Sequence, residues 1–176
     1  DADAALVEAA ERARAGIQSV EVGFALLAAL AAARGPLMLR DLAANPDLDA
    51  EIRAHAVFHL GHGGDGDDVR FLRDLFPRVE DPEIREKIIF AVAQGDARHS
   101  RDWLLGLVSD RSLDLESRKQ ALFWAGQEEM LNAGELEQIY ESTDDREMRE
   151  QVIFVLSQDD SPDATRMLMD IARHET

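Results

Sequence analysis

The sequence contains no cysteine, which excludes disulfide bonds, thiolate metal sites and cysteine nucleophiles. It also lacks a long apolar run. The longest one, from Gly23 to Arg34, falls well short of the roughly 18 to 20 apolar residues that a membrane helix needs. We find no basic leader followed by an apolar stretch and a cleavage site. We therefore expect neither a membrane span nor secretion, and we predict a cytoplasmic location.

Basic side chains are also scarce. The 176 residues carry 36 acidic and 19 basic side chains, a net charge of −17. Residues 49–176 hold 29 of the acids and 15 of the bases, and residues 1–48 hold seven and four. Such a surface repels nucleic-acid phosphates and anionic lipid. It favours a basic protein or peptide as any charged partner, although the simpler interpretation is that the acids only solvate helix faces.

Residues 49–176 contain four copies of one pattern. Each copy has a phenylalanine, and an aspartate, a glutamate and an arginine stand nine, seven and five residues before it. The phenylalanines are Phe58, Phe90, Phe123 and Phe154. The preceding residues are Asp49, Glu51 and Arg53; Asp81, Glu83 and Arg85; Asp114, Glu116 and Arg118; and Asp145, Glu147 and Arg149. Chance does not place three charged residues at fixed offsets four times, so this part of the chain is a repeat array.

The pattern predicts the start of a helix in each copy. The aspartate stands where an N-cap belongs, and the glutamate lies in the first turn, where the helix dipole favours an acid. The arginine has a long stem and several donors, so we predict a structural role in which it spans adjacent hairpins and reaches a carboxylate. We expect each phenylalanine and the aliphatic residue before it to form a buried stripe. A small residue three positions later should let the next helix approach closely; these are Gly61, Ala93, Gly126 and Ser157.

A second apolar stripe with helical spacing follows a short polar link in each copy, for example at Trp103, Leu104, Leu107 and Val108. A single hairpin cannot cover its own apolar face, so neighbouring hairpins must stack. We therefore predict an all-α fold, an α-solenoid of four helical hairpins with an N-terminal helical cap in residues 1–48. The hairpins should occupy residues 49–79, 80–111, 112–143 and 144–176.

The repeats resemble HEAT-type (PBS-lyase-like) repeats. The resemblance lies in the acidic turn, the D-x-E-x-R spacing, the aliphatic–phenylalanine stripe and the step from a small residue to glutamine at Ala93-Gln94 and Gly126-Gln127. It implies stacked helical hairpins that serve as a protein-interaction scaffold. It implies no particular partner, because such repeats are used in many contexts.

Residues 1–48 break the period. We predict helices over residues 4–15, 20–34 and 39–44. Residues 16–44 look like the first two helices of an IclR-family winged helix-turn-helix domain, which implies DNA binding and dimerisation through the first long helix. The recognition helix that would enter the major groove does not follow. We therefore hypothesise an engineered or recombined chimera, with a natural divergent cap as the alternative, and a homodimer formed through Phe24–Ala33.

Candidate sites for chemistry are few. His55, His59 and His62 share one face of a predicted helix, a spacing that a metal site could use. In the repeat register they occupy an exposed, a partly buried and a polar position, so ordinary variation between repeats is the simpler interpretation. The glycine-rich stretch 61–68 lacks the lysine and threonine of a phosphate loop and reads as a turn. We find no catalytic constellation and therefore expect no cofactor and no enzyme activity.

The concave face of the predicted solenoid is the surface that such repeats commonly use for binding. By register, Trp124, Gln94, Gln127 and Gln158 should line it, although Trp124 could instead pack between repeats. We therefore predict a non-catalytic scaffold, without evolved activity if the chain is a chimera. The first alternative is a natural adaptor that binds a basic peptide or protein on its concave face. The second is a fragment of a DNA-binding regulator.

Overall fold

The computed structural model of the chain describes residues 39–63, 66–95, 97–127 and 130–174. Within these ranges every regular element is a helix and there is no strand. No helix in them is both long and apolar enough to cross a bilayer. The helices predicted over residues 4–15 and 20–34, including the predicted dimer surface Phe24–Ala33, lie outside the described residues.

The described ranges contain nine α-helices. They are α1 (Leu39–Ala44), α2 (Ala50–Gly63), α3 (Gly66–Leu75), α4 (Pro82–Ala93), α5 (Ala97–Ser109), α6 (Leu115–Gln127), α7 (Ala133–Ser142), α8 (Arg146–Ser157) and α9 (Pro162–His174). A 3-10 turn, Phe76–Arg78, follows α3. Pro77 in this turn has no N–H to continue the α-helical bonding. Helix α1 has the predicted bounds.

An aspartate directly precedes each of α2, α4, α6 and α8, in the N-cap position, as predicted. In each case a side-chain oxygen accepts a hydrogen bond from a backbone N–H of the first turn, which has no partner within the helix. The bonds run from Glu51 to Asp49 (2.8 Å), from Glu83 to Asp81 (2.9 Å), from Ser117 to Asp114 (2.8 Å) and from Glu147 to Asp145 (2.9 Å). The N-cap prediction is therefore confirmed in all four copies.

Helices α2, α4, α6 and α8 form a row, in which each contacts the next. The other helices lie against this row. Helix α3 contacts α2 and α4, α5 contacts α4 and α6, and α7 and α9 contact α8 and each other. Helix α1 contacts α2 and α3. One hydrophobic core runs along all the described helices and includes the fully buried Leu42, Leu72, Ile89, Leu122 and Leu156.

Two glycines set the close approach of helices within the row. A methyl group added at Gly61 of α2 would lie 2.5 Å from the Cβ and 2.9 Å from the Cα of Ala91 in α4. One added at Gly126 of α6 would overlap the side chain of Val155 in α8. The prediction that a small residue at this repeat position admits the next helix is confirmed at these two contacts.

The four repeat arginines form equivalent hydrogen bonds. Each donates its Nε–H to a main-chain carbonyl of the preceding segment. The acceptors are Ala43 for Arg53 (3.3 Å), Val79 for Arg85 (2.6 Å), Val108 for Arg118 (3.0 Å) and Thr143 for Arg149 (3.0 Å). The predicted carboxylate partner is found for Arg85, whose Nη1 lies 2.9 Å from Asp114 in the next copy. The shared bond ties each row helix to the segment before it.

Candidate functional site

The repeat phenylalanines do not belong to the core. Phe58 and Phe154 are 42% and 45% exposed, and Phe90 and Phe123 are half-buried. The aliphatic residue before three of them, at Val57, Ile89 and Leu122, is fully buried. The prediction of a buried stripe is therefore right for these aliphatic residues and wrong for the phenylalanines.

Helix geometry explains this exposure. Residues three, four and seven positions before a residue share its helix face, whereas the adjacent residue is turned by about 100°. Before Phe90 these positions hold Lys87, Glu86 and Glu83. A ring on the same face as three charged side chains faces solvent, and Ile89 then faces the core. This signal was present in the sequence, and it identifies the outer face of the row.

The outer faces of α2, α4, α6 and α8 form a groove of two adjoining segments, with volumes of about 830 Å³ and 460 Å³. Glu86 and Trp124 line both segments, so the groove is continuous along the row. The first segment is also lined by Glu51, Ala54, His55, Phe58, His59, Glu83, Lys87 and Phe90. The second is also lined by Glu116, Lys119, Gln120, Phe123, Gln151 and Phe154.

Aromatic rings form the floor of the groove. Trp124 lies edge-on between two phenylalanines, with ring centroids 4.8 Å from Phe90 and 5.0 Å from Phe123. Phe123 is stacked on Phe154 at 6.2 Å. These distances are those of favourable aromatic pairs. The rings therefore form a chain of contacts from α4 to α8, with Trp124 at the junction of the two segments.

Carboxylates border the first segment. Glu51, Glu83 and Glu86 line it together with a single lysine, Lys87. Within the described ranges none of the three glutamates forms an ion pair. Uncompensated carboxylates beside apolar rings create a negative potential at the groove and attract cations.

Among the described residues, Glu116 of the second segment is paired within the chain, and Glu86, which lies at the junction with the first segment, is not. The Nζ of Lys119 lies 3.0 Å from Glu147 and 3.5 Å from Glu116. The hydrogen bond to Glu147 raises the pKa of Lys119, with further support from the charges of both glutamates. The ammonium group therefore stays charged at neutral pH and compensates two carboxylates at this end of the groove.

The structure separates the four residues predicted to bind a partner. Trp124 lies at the centre of the groove. Gln94, Gln127 and Gln158 lie at the C-terminal ends of α4, α6 and α8, where their side chains are exposed and outside the groove lining. The residues that accompany Trp124 are instead the phenylalanines, glutamates and lysines of the outer face. These side chains were not among the predicted groove residues, because the buried stripe predicted from the repeat pattern included the phenylalanines.

The three histidines predicted as a metal site lie on α2. No cluster of three metal-ligating side chains occurs in the part of the chain that the structure describes. His59 and His62 contact the ring of Phe58, at 5.7 and 5.4 Å. His59 is exposed rather than partly buried as predicted. The equivalent Ala91 packs against the preceding row helix, whereas α2 is the first helix of the row among the described residues.

Comparison of the chain with protein-family models, with curated proteins and with solved structures found no match. The resemblances to HEAT-type repeats and to the IclR family remain predictions based on the motifs quoted above. The chimera hypothesis likewise remains a prediction. The function of the chain is therefore inferred from the groove itself.

Proposed function

We propose that this chain is a non-catalytic α-solenoid scaffold that binds a basic peptide or protein segment along the groove. The observation that carries the proposal is the row of partly exposed aromatic rings bordered by glutamates. Exposed apolar surface with a polar rim is typical of protein interaction sites. The succession of contacts from α2 to α4, α6 and α8 supports a solenoid, because each helix pair lies against the next.

The chemistry of the groove favours arginine and lysine side chains in the partner. Their apolar stems and cationic heads pack on aromatic faces. Their charges can at the same time reach a carboxylate such as Glu83 or Glu86 at the border. The net charge of −17 would also accelerate the approach of a basic partner and repel an acidic one.

Two carboxyl groups outside the groove accept hydrogen bonds that order the chain. Hydrogen bonds from Ser112 lower the pKa of Asp110. For Asp114, burial alone would raise the pKa, but hydrogen bonds from Ser117 and Arg85 outweigh it and the pKa is lowered. Both carboxylates act as acceptors that order a turn and a helix start.

Intrinsic fluorescence provides a direct test, because Trp124 lies at the junction of the two segments. The chain has two tryptophans. The second, Trp103 on α5, lies outside the groove lining and packs edge-on against Phe76, with the ring centroids 5.4 Å apart. In a Trp103→Phe variant, Trp124 is the sole reporter. Titration with a short peptide of alternating arginine and leucine should give a saturable change. The affinity should fall as salt is added, because the charges are screened.

Matched variants locate the binding surface. Phe58→Ala and Phe154→Ala should each weaken binding at least about fivefold, as expected for aromatic contacts at an interface. Met169→Ala removes a 55% exposed apolar side chain from α9 outside the groove and should leave affinity unchanged. Equal binding of an acidic peptide, or equal effects of the phenylalanine and methionine variants, would contradict the proposal.

A further inference from the structure

The two segments of the groove have different charge states. In the first, Glu51, Glu83 and Glu86 form no ion pair within the described residues, and Glu86 is shared with the second segment. The basic side chains that line the first segment are Lys87, on the same helix as Glu83 and Glu86, and the histidines His55 and His59. In the second, Lys119 is bonded to carboxylates on both of the helices it bridges. The aromatic floor continues through both segments, so charge is the property that distinguishes them.

Lys119 is well placed to act as a resident cation. Its side chain is 24% exposed, whereas those of Glu116 and Glu147 are 66% and 60% exposed. The side chain of Lys119 is thus more buried than those of the two glutamates that it bridges. A second cation brought beside Phe123 and Phe154 by a ligand would meet this positive charge and find Glu116 and Glu147 already engaged. The carboxylate in this segment that has no ion pair among the described residues, Glu86, lies at the junction with the first segment.

We propose that the groove selects a bipartite ligand, whose basic residues lie in the first segment, against Phe58 and Phe90, and whose apolar residues lie in the second, against Phe123 and Phe154. Lys119 is the residue that determines this order. The inference rests on the proposed function and specifies its ligand: an extended chain with a basic half followed by an apolar half, in either chain direction.

The dimensions of the row set the length of such a ligand. Packed helices are separated by about 8–10 Å, so four helices in a row span about 24–30 Å between the first and last axes. An extended chain rises about 3.3 Å per residue, so about seven to nine residues cover the groove. Each half of the ligand would then contain about four residues, with one side-chain contact per helix at about every third residue.

Crosslinking tests the order directly. Two peptides with an arginine-rich half and a leucine-rich half carry a photoreactive benzoylphenylalanine at the basic end or at the apolar end. After irradiation with the full chain, mass spectrometry should place the basic-end crosslinks on α2 and α4 and the apolar-end crosslinks on α6 and α8. Crosslinks from both ends to the same helices, or in the reverse order, would overturn the inference.

A pair of lysine variants tests the role of Lys119. Lys119→Gln releases Glu116 and Glu147, so a uniformly basic peptide should bind about two- to fivefold more tightly, whereas the bipartite peptide should not gain. Lys87→Gln is the matched control in the first segment, because it should strengthen both peptides to the same extent.

The outcomes separate the two proposals. If no basic peptide binds the chain, the proposed function falls and the inference falls with it. If basic peptides bind and respond to Phe58→Ala, but Lys119→Gln affects both peptides equally, the binding function stands and the division of the groove is wrong.

Discussion

Ile89 and Phe90 are adjacent in α4 and of similar apolar character, yet Ile89 is fully buried and Phe90 is half-exposed on the groove. The same contrast separates Val57 from Phe58. Hydrophobicity alone does not decide which of two neighbours enters the core. The position of the residue around the helix, relative to the helices packed against it, decides.

The two faces of the row also differ in how the repeats vary. On the inner face, the residue before the phenylalanine is aliphatic in every copy. On the groove face, the residue four positions before it is Ala54, Glu86, Lys119 or Glu150. Close packing restricts the inner face to similar apolar shapes. On the groove face the phenylalanine and the glutamate seven positions before it also recur in every copy, so the variation in charge there lies at the positions between them.

The largest expected effect on stability is the difference between truncating a side chain on the inner face of the row and truncating one on the groove face. Ile89→Ala should lower the free energy of unfolding by about 2–5 kcal/mol, because it leaves a cavity in the core. Phe154→Ala should lower it by about 1 kcal/mol or less, the value of an exposed aromatic pair. Urea denaturation followed by circular dichroism measures both. If Phe154→Ala lowered the free energy of unfolding as much as Ile89→Ala, the distinction between the two faces would be contradicted.

The close helix contacts within the row can be tested by substituting glycines with alanine. Gly61→Ala should cost about 1–3 kcal/mol, because the added methyl group meets the backbone of Ala91. Gly106→Ala, in α5 with nothing within 4 Å of the added methyl group, should instead raise stability by about 0.5–1 kcal/mol. Thermal and urea unfolding of the pair give the comparison. A stabilising change at Gly61 would show that α2 and α4 are not in close contact.

The N-cap aspartates should contribute less to the stability of the fold than the core and the close helix contacts. Asp114→Ala should lower stability by about 1 kcal/mol at neutral pH, because α6 loses its N-cap and Arg85 loses its partner. Since the folded-state pKa of Asp114 is lowered below the ordinary 3.8, this stabilisation is present above pH 3.8 and is lost as the pH falls through the lower folded-state value.

Stability measured across acidic pH checks this sign. The difference between the original chain and Asp114→Ala should shrink as the pH falls below 3.8. Asp74→Ala, at an exposed position of α3, should change stability at pH 7 by less than about 0.5 kcal/mol. A difference at Asp114 that grows on acidification would contradict the assigned direction of the pKa shift.

The smallest expected effect on stability is at Lys119. Its ion pairs are with exposed glutamates, so Lys119→Gln should change the free energy of unfolding by about 1 kcal/mol or less. Denaturation at low and at high salt measures it, and salt should reduce the difference further. A loss comparable to that of Ile89→Ala would make Lys119 part of the folded framework rather than of the groove.

The sequence by itself determined the local structure. The aspartate N-caps and the bounds of α1 followed from residue types and spacings, because N-caps, turns and breaks depend on hydrogen bonds and backbone angles within a few residues. The small side chains at Gly61 and Gly126 were also identified from the repeat register, since a close helix contact requires a side chain of this size at a fixed position.

Only the tertiary structure decided the partners of these elements. The bonds from Arg53 and Arg118 go to carbonyls ten residues earlier, and Trp124 on α6 lies beside Phe90 on the preceding row helix. The exposure of His59 depended on its place in the row, because α2 is the first row helix among the described residues, whereas the equivalent Ala91 packs against α2. Residues about thirty positions apart supply these neighbours, and their packing joins the charged faces of the four row helices into one groove.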